Sequence, residues 1–367
     1  MNEHRMQKEE VVLEKATAPA PQTPTAAAEP AVNKADILAL LDVGKESRRK
    51  KAIEAFKKVM RDVPPYVGTG TKGSPFAMLG QYEKAAQIAQ EEITGDPGNA
   101  DSRYTLAWIY AKVGNYDGAI AACNDALQRG PAFNKLRYIL GWVYAKQGKY
   151  EDALKTCDDA LRVDPYSASL YYARGRIQDL FGRGDEAIES YLKAINLKSD
   201  FSEVYVFLGL LYTERGRYDE AIQAQKQAIS FNRYGPAGYL GLGLVYDEKG
   251  NYQAALTQLQ NAITLGSYGT DVDSAKQPLT LSIGIDDAVI YCRIGVLKVR
   301  LGAYPDALAA FNNAIAARQD FSEAYRGVVL TYLLLGDRTA ALKSYDKLKS
   351  MDMELANSVA AVVGADK

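Results

Sequence analysis

Residues 134–167 read NKLRYILGWVYAKQGKYEDALKTCDDALRVDPYS, and the blocks on either side repeat the pattern with a strict 34-residue period. Blocks begin at Ala100, Asn134, Ala168, Ser202 and Pro236 without a gap. Position 8 of each block is small: Ala107, Gly141, Gly175, Gly209 and Gly243. So are position 20 (Ala119, Ala153, Ala187, Ala221, Ala255) and position 27 (Ala126, Ala160, Ala194, Ala228, Ala262). Small side chains at fixed places mark close helix crossings, because larger ones would hold the axes beyond the roughly 8–10 Å of ordinary helix packing. Each block therefore reads as a helical hairpin. In residues 134–167 the first helix is expected from Lys135 to Gln147, ended by Gly148, and the second from Tyr150 to Val163, stopped by Pro165. Gly114, Gly148, Gly182, Gly216 and Gly250 place the same internal turn in all five blocks.

The pattern resembles the tetratricopeptide repeat family, whose unit carries a leucine-glycine pair, a tyrosine, alanines and a closing proline. The second block matches it with Leu140, Gly141, Tyr144, Gly148, Tyr150, Ala153, Ala160 and Pro165. The first matches with Leu106, Ala107, Tyr110, Gly114, Tyr116, Ala119, Ala126 and Pro131. Departures fall at the closing proline, replaced by Ser199, Arg233 and Ser267, and at Gln178, which stands where the third block should hold a tyrosine. The resemblance implies an all-α, right-handed solenoid of stacked hairpins. Two weaker blocks follow, with Gly295, Gly302, Ala307, Phe311 and Ala314 after Ala288, and Tyr332, Gly336, Ala341 and Tyr345 after Ser322. Upstream, Gly80, Gln81, Tyr82, Ala85 and Pro97 fit a second helix whose partner stretch, Tyr66 to Pro75, is too rich in Gly and Pro for a full helix. Asp36 to Pro64 reads as a degenerate hairpin. The expected organisation is a disordered Ala/Pro-rich tail (1–32), degenerate repeats forming a cap (33–99), five regular repeats (100–269), an insertion (270–287), two further repeats (288–355) and a C-terminal tail (356–367).

Composition is compatible with one long array, since a solenoid grows by stacking and needs no second core. The net charge of -1 gives no general attraction to nucleic acid or anionic lipid. No apolar run approaches the roughly 18 residues that would span a membrane. The first residues, MNEHRMQKEEVVLEKA, lack the apolar centre of a signal peptide, so a cytoplasmic location is expected. Cys123 and Cys157 occupy equivalent positions of neighbouring blocks and are expected to face their own hairpin interiors as free thiols.

Catalysis finds little support. The only histidine is His4, outside the repeats, and no Cys or His spacing suits a metal. The run Gly68 to Ser74 is not a phosphate loop, because Lys72 precedes Gly73 and no strand leads into it. Asp158-Asp159 and Asp286-Asp287 read as solvated acidic pairs. No enzymatic activity, cofactor, metal or small-molecule substrate is expected.

What distinguishes the repeats is the face they present. Positions 5, 9 and 12 of a first helix form a stripe about 100° from the one at positions 4, 8 and 11. The family resemblance places that stripe on the concave side, where such proteins hold peptides or helices. Position 5 reads Tyr104, Tyr138, Tyr172, Val206 and Leu240; position 9 reads Trp108, Trp142, Arg176, Leu210 and Leu244. These residues are either core, buried against the next repeat, or an open ladder that receives an apolar or Pro-rich partner segment. A chaperone-tail clamp is set aside, because Tyr and Trp stand where it would need Lys, Asn and Arg. A second candidate contact is the basic stretch Gly44 to Arg61, with Arg48, Arg49, Lys50 and Lys51 at its centre. It reads as the outer face of a capping helix or a contact for nucleic acid or acidic membrane, and the apolar stripe argues against a nucleic-acid reader. The insertion reads as a surface loop, a lid or a divider between two arms. The combined expectation is a non-enzymatic scaffold or adaptor with a protein or peptide partner in its groove, with self-association left open. The alternative is a regulatory or targeting subunit of a larger enzyme or envelope-assembly complex.

Overall fold

Small residues at the hairpin crossings do in three dimensions what their spacing foretold. The computed structural model of the chain describes residues 33–42, 71–129, 134–268 and 287–364, and all its regular structure among them is helical. A first helix, α1 (Lys34–Asp42), is followed by a short α2 (Ser74–Met78) and α3 (Tyr82–Gly95). Five regular hairpins come next: α4 (Ala100–Lys112) with α5 (Tyr116–Arg129), α6 (Asn134–Lys146) with α7 (Tyr150–Val163), α8 (Ala168–Leu180) with α9 (Gly184–Leu197), α10 (Ser202–Glu214) with α11 (Tyr218–Phe231), and α12 (Pro236–Glu248) with α13 (Tyr252–Tyr268). Two more, α14 (Asp287–Arg300) with α15 (Tyr304–Ala317) and α16 (Ser322–Leu334) with α17 (Arg338–Met351), precede a last helix, α18 (Met353–Val363).

Each hairpin turns on a glycine in the left-handed region. At Gly148 φ is +73°, and the turn closes with Lys149 N–H donating to the Tyr144 carbonyl at 2.8 Å and Gly148 N–H to that of Ala145 at 3.1 Å. Those bonds satisfy carbonyls that a helix end would otherwise leave without partners.

The inner crossing explains which position-8 residues must be glycine. A Cβ on Gly175 would lie 2.6 Å from the ring of Tyr191, and one on Gly295 would lie 2.6 Å from Phe311. On Gly141 the nearest atoms, the Ala153 carbonyl and Cys157 Sγ, would be 3.4 Å away, an ordinary contact. Position 24 of these hairpins, Tyr191, Phe311 or Cys157, therefore decides how much room position 8 has, and Gln225 and Leu259 crowd Gly209 and Gly243 in the same way. Cys123 and Cys157 fill the small version of this slot, buried and free, and burial pushes both thiols up to about 12.

The described part of the Gly/Pro-rich stretch, from Thr71, leads into the five-residue α2, which opens at Ser74 with Pro75 in its first turn. It keeps the repeat frame nonetheless: a Cβ on Gly73 would meet the Ala85 carbonyl at 2.9 Å, and Thr71 bonds through its hydroxyl to Ser74 at 2.9 Å and Thr105 at 3.3 Å. Across the expected insertion the stack does not divide. Ile290, Ile294 and Leu297 share one apolar cluster with Leu244 and Leu259. Arg293 Nη1 pairs with Asp247 Oδ2 at 2.5 Å, and Arg300 Nη1 donates to the Tyr252 hydroxyl at 2.8 Å. Apart from Asp287, which opens α14, the insertion lies outside the described residues, as do the tail at 1–32 and the basic stretch with Arg48, Arg49, Lys50 and Lys51. Of the degenerate hairpin expected from Asp36 to Pro64, only α1 is described, and it packs against α16 and α18 at the far end of the chain.

Gly175→Ala should lower stability by about 1–3 kcal/mol through overpacking against Tyr191, whereas Gly141→Ala should change it by less than about 1 kcal/mol. Urea unfolding of the two variants checks this; equal losses would refute the position-8 and position-24 relation.

Candidate functional site

The first helices of successive repeats touch one another along one side of the stack: α4 with α6, α6 with α8, α10 with α12 and α14 with α16. Positions 5 and 9 project into that junction, and the structure buries them. Tyr104, Trp108 and Trp142 share a cluster with Leu136, Ile139 and Val143. Trp108 meets the edge of Tyr82 with centroids 6.0 Å apart, and Trp142 meets Tyr116 at 6.5 Å. Each indole thus rests on the tyrosine that opens the preceding second helix. A lysine one turn on lies near each ring, with Lys112 Nζ 5.9 Å from the Trp108 ring and Lys146 Nζ 5.3 Å from that of Trp142. Only 4% of Trp108 and 9% of Trp142 is exposed.

In the middle of the stack Tyr172 and Arg176 are buried together. Arg176 Nη1 donates to the Tyr172 hydroxyl at 3.0 Å, and its guanidinium lies 4.3 Å from the centroid of the Phe207 ring. Tyr172 also packs beside Tyr191 and Phe207, at 6.2 and 5.9 Å. Burial raises the phenols of Tyr138, Tyr172 and Tyr191 above the usual tyrosine range, so they stay neutral at physiological pH. Further on, Val206, Leu210, Leu240 and Leu244 belong to one cluster. Tyr138 alone among the ten position-5 and position-9 residues is half-buried. The stripe is therefore closed, unlike an open ladder, because its side chains fill the space against neighbouring helices.

Position 13 is what the sequence reading passed over. Lys112, Lys146, Leu180, Glu214 and Glu248 form a half-exposed line beside the buried stripe, basic in the first two repeats and acidic in the fourth and fifth. The signal was present, since the sign change can be read by aligning the blocks, but only the structure shows that this line and not position 9 borders solvent. Among the described residues no group of three or more His, Cys, Asp or Glu side chains converges as a metal site, and no helix is long and apolar enough to cross a membrane.

Family models described as tetratricopeptide repeats match residues 77–143, 138–201, 236–265 and 292–355, and one described as a TPR repeat matches 209–250. No curated protein sequence matches the chain. Among solved structures it is similar to a chain of the APC/C hetero-tetramer Cut9-Hcn1, with a TM-score of 0.56 and 19% identity over 77% of this chain and 52% of that one. It thus spans about half the length of that relative. Yeast Tom70 is similar with a TM-score of 0.53 and 16% identity over 91% of this chain and 78% of that one. At these identities the likeness is one of fold.

Native tryptophan emission should be of the buried type and resist acrylamide, turning red-shifted and quenchable only on unfolding. Trp142→Ala should cost about 3–5 kcal/mol, as loss of a buried indole does. Exposed-type emission in the native chain would refute the closed stripe.

Proposed function

Because the chain belongs to the tetratricopeptide repeat family, we propose that it is a non-enzymatic scaffold or adaptor that holds a protein or peptide segment along its inner face. The observation that carries this reading is the half-exposed line at position 13, running beside an apolar floor and changing sign near Leu180. A segment laid along it would meet Lys112 and Lys146 first and Glu214 and Glu248 later, so the partner that fits has an acidic stretch and a basic stretch in that order. Rim charges are individually weak, about 0.2–1 kcal/mol each in exposed pairs. Complementarity along several repeats therefore sets register and specificity more than affinity. The buried stripe supports the rim indirectly by fixing the first helices.

A photo-crosslinking amino acid at position 146 or 214 should trap one discrete protein, while the same group at exposed positions 155 or 223 of the second helices should not. Reversing Lys112 and Lys146 to Glu should reduce the adduct about tenfold. Equal trapping from both sets of positions would overturn the inner-face reading. The trapped protein's identity separates a free-standing adaptor from a subunit of a larger enzyme or envelope-assembly complex.

A further inference from the structure

The last two repeats already hold a helix on the side expected to bind one. α1 lies against α16 and α18, although Arg326 and Leu40, which bond to each other, are 286 residues apart in sequence. Ile37 and Leu41, four residues apart and so on one face of α1, are each 1% exposed within a cluster that includes Phe311, Val328, Leu330 and Val359. Leu38 and Leu40 pack partly against it. Lys34 Nζ sits 5.5 Å from the centroid of the Tyr304 ring, and Arg326 Nη1 donates at 3.2 Å to the Leu40 carbonyl. Arg326 stands at position 5 of the last repeat, so α1 engages the same stripe that lines the inner face of the regular repeats.

One feature sets α1 apart from a permanent part of the core. Its fit leaves a polar group unmet: Arg326 is 5% exposed and its Nε has no hydrogen-bond partner. An unsatisfied buried donor marks a site that another ligand can fill better.

We infer that the inner face of the last two repeats is a docking site for an amphipathic helix bearing Ile or Leu at i and i+4, and that α1 occupies it in cis as a tethered competitor. This deepens the inner-face reading and rests on it for the orientation of the stripe. The ligand chemistry is the helix-in-groove mode, read as apolar anchors at one-turn spacing. A partner helix displaces α1 when its affinity exceeds what the tether gives to a ligand on the same chain.

The test is a fluorescence-anisotropy titration of a labelled synthetic peptide spanning residues 31–44 against two full-length chains, wild type and Ile37→Asp/Leu41→Asp. The released chain should bind the peptide at least tenfold more tightly than wild type, and a peptide carrying the same two Asp substitutions should not bind. No binding to the released chain, or equal binding to both, overturns the inference. A wild-type dimer at titration concentrations that is lost in the released variant assigns the site to a second copy and overturns the partner reading. Should the released chain misfold, hydrogen exchange of wild type decides: α1 amides should exchange at least tenfold faster than those of α16, and co-exchange with α16 makes α1 a fixed cap. Because the probe is the chain's own sequence, failure here leaves the crosslinking at positions 146 and 214 as an independent test of the inner face.

Discussion

The close crossing within each hairpin is the constraint on which the rest depends. In six of the seven hairpins something small sits at position 8, facing position 24 of the same hairpin; the last has Val329 there. Gly175 faces the ring of Tyr191, Gly295 that of Phe311, and Ala107 shares its cluster with Cys123. The pairing is not a fixed sum: Gly141 faces the smaller Cys157, and in the last repeat Val329 takes position 8 in one cluster with Tyr345. A close-packed interior nonetheless ties the two positions to each other. Because each repeat touches only its neighbours, constancy of the hairpin is also constancy of the stack.

That constancy has a consequence for the inner face. Stacking of the hairpins brings first helices into contact at α4 with α6, α6 with α8, α10 with α12 and α14 with α16. Side chains at positions 5 and 9 then have nowhere to go but between them. Aromatic rings serve well in such a gap, offering large apolar area with few rotatable bonds. Trp108 on Tyr82 and Trp142 on Tyr116 are one arrangement built twice. What reaches solvent is the next ring of positions outward, where the charges lie. Rigidity and recognition are thus divided between adjacent stripes of the same helices.

The period, the turn glycines and the small positions were legible in the sequence because each is a local demand repeated along the array. Gly148 needs a positive φ whatever its surroundings, and Ala153 needs to be small whatever the partner. The exposure of Trp108 was not legible, since amphipathic spacing gives the direction a side chain points but not how near the next helix stands. Position 13 went unread for the same reason: a charged residue there fits an outer surface as well as an inner rim. The placement of α1 was further out of reach. Its Ile37 and Leu41 announce a helix with an apolar side, but nothing in their spacing says that the far end of the chain supplies the surface.

α1 and α18 answer one physical problem differently. A stack of hairpins ends with apolar surface uncovered, and terminal units must cover it. α18 does so as a neighbour in sequence, begun by Asp352, whose carboxylate accepts from Leu355 N–H at 2.9 Å, and ended at Gly364 with φ +73°. It has caps from its own sequence at both ends. α1 also opens on its own residues, with Ala35 N–H donating to Asn33 Oδ1 at 3.0 Å, and adds a bond from Arg326, a side chain of another element, to its Leu40 carbonyl. One helix is a sequence neighbour of the repeat it covers; the other is brought to that surface from the opposite end of the chain. On leaving, α1 gives up the Arg326 bond, and the surface left behind keeps a buried guanidinium that needs an acceptor. The same surface that closes the array therefore favours being occupied, without specifying which chain the occupant comes from.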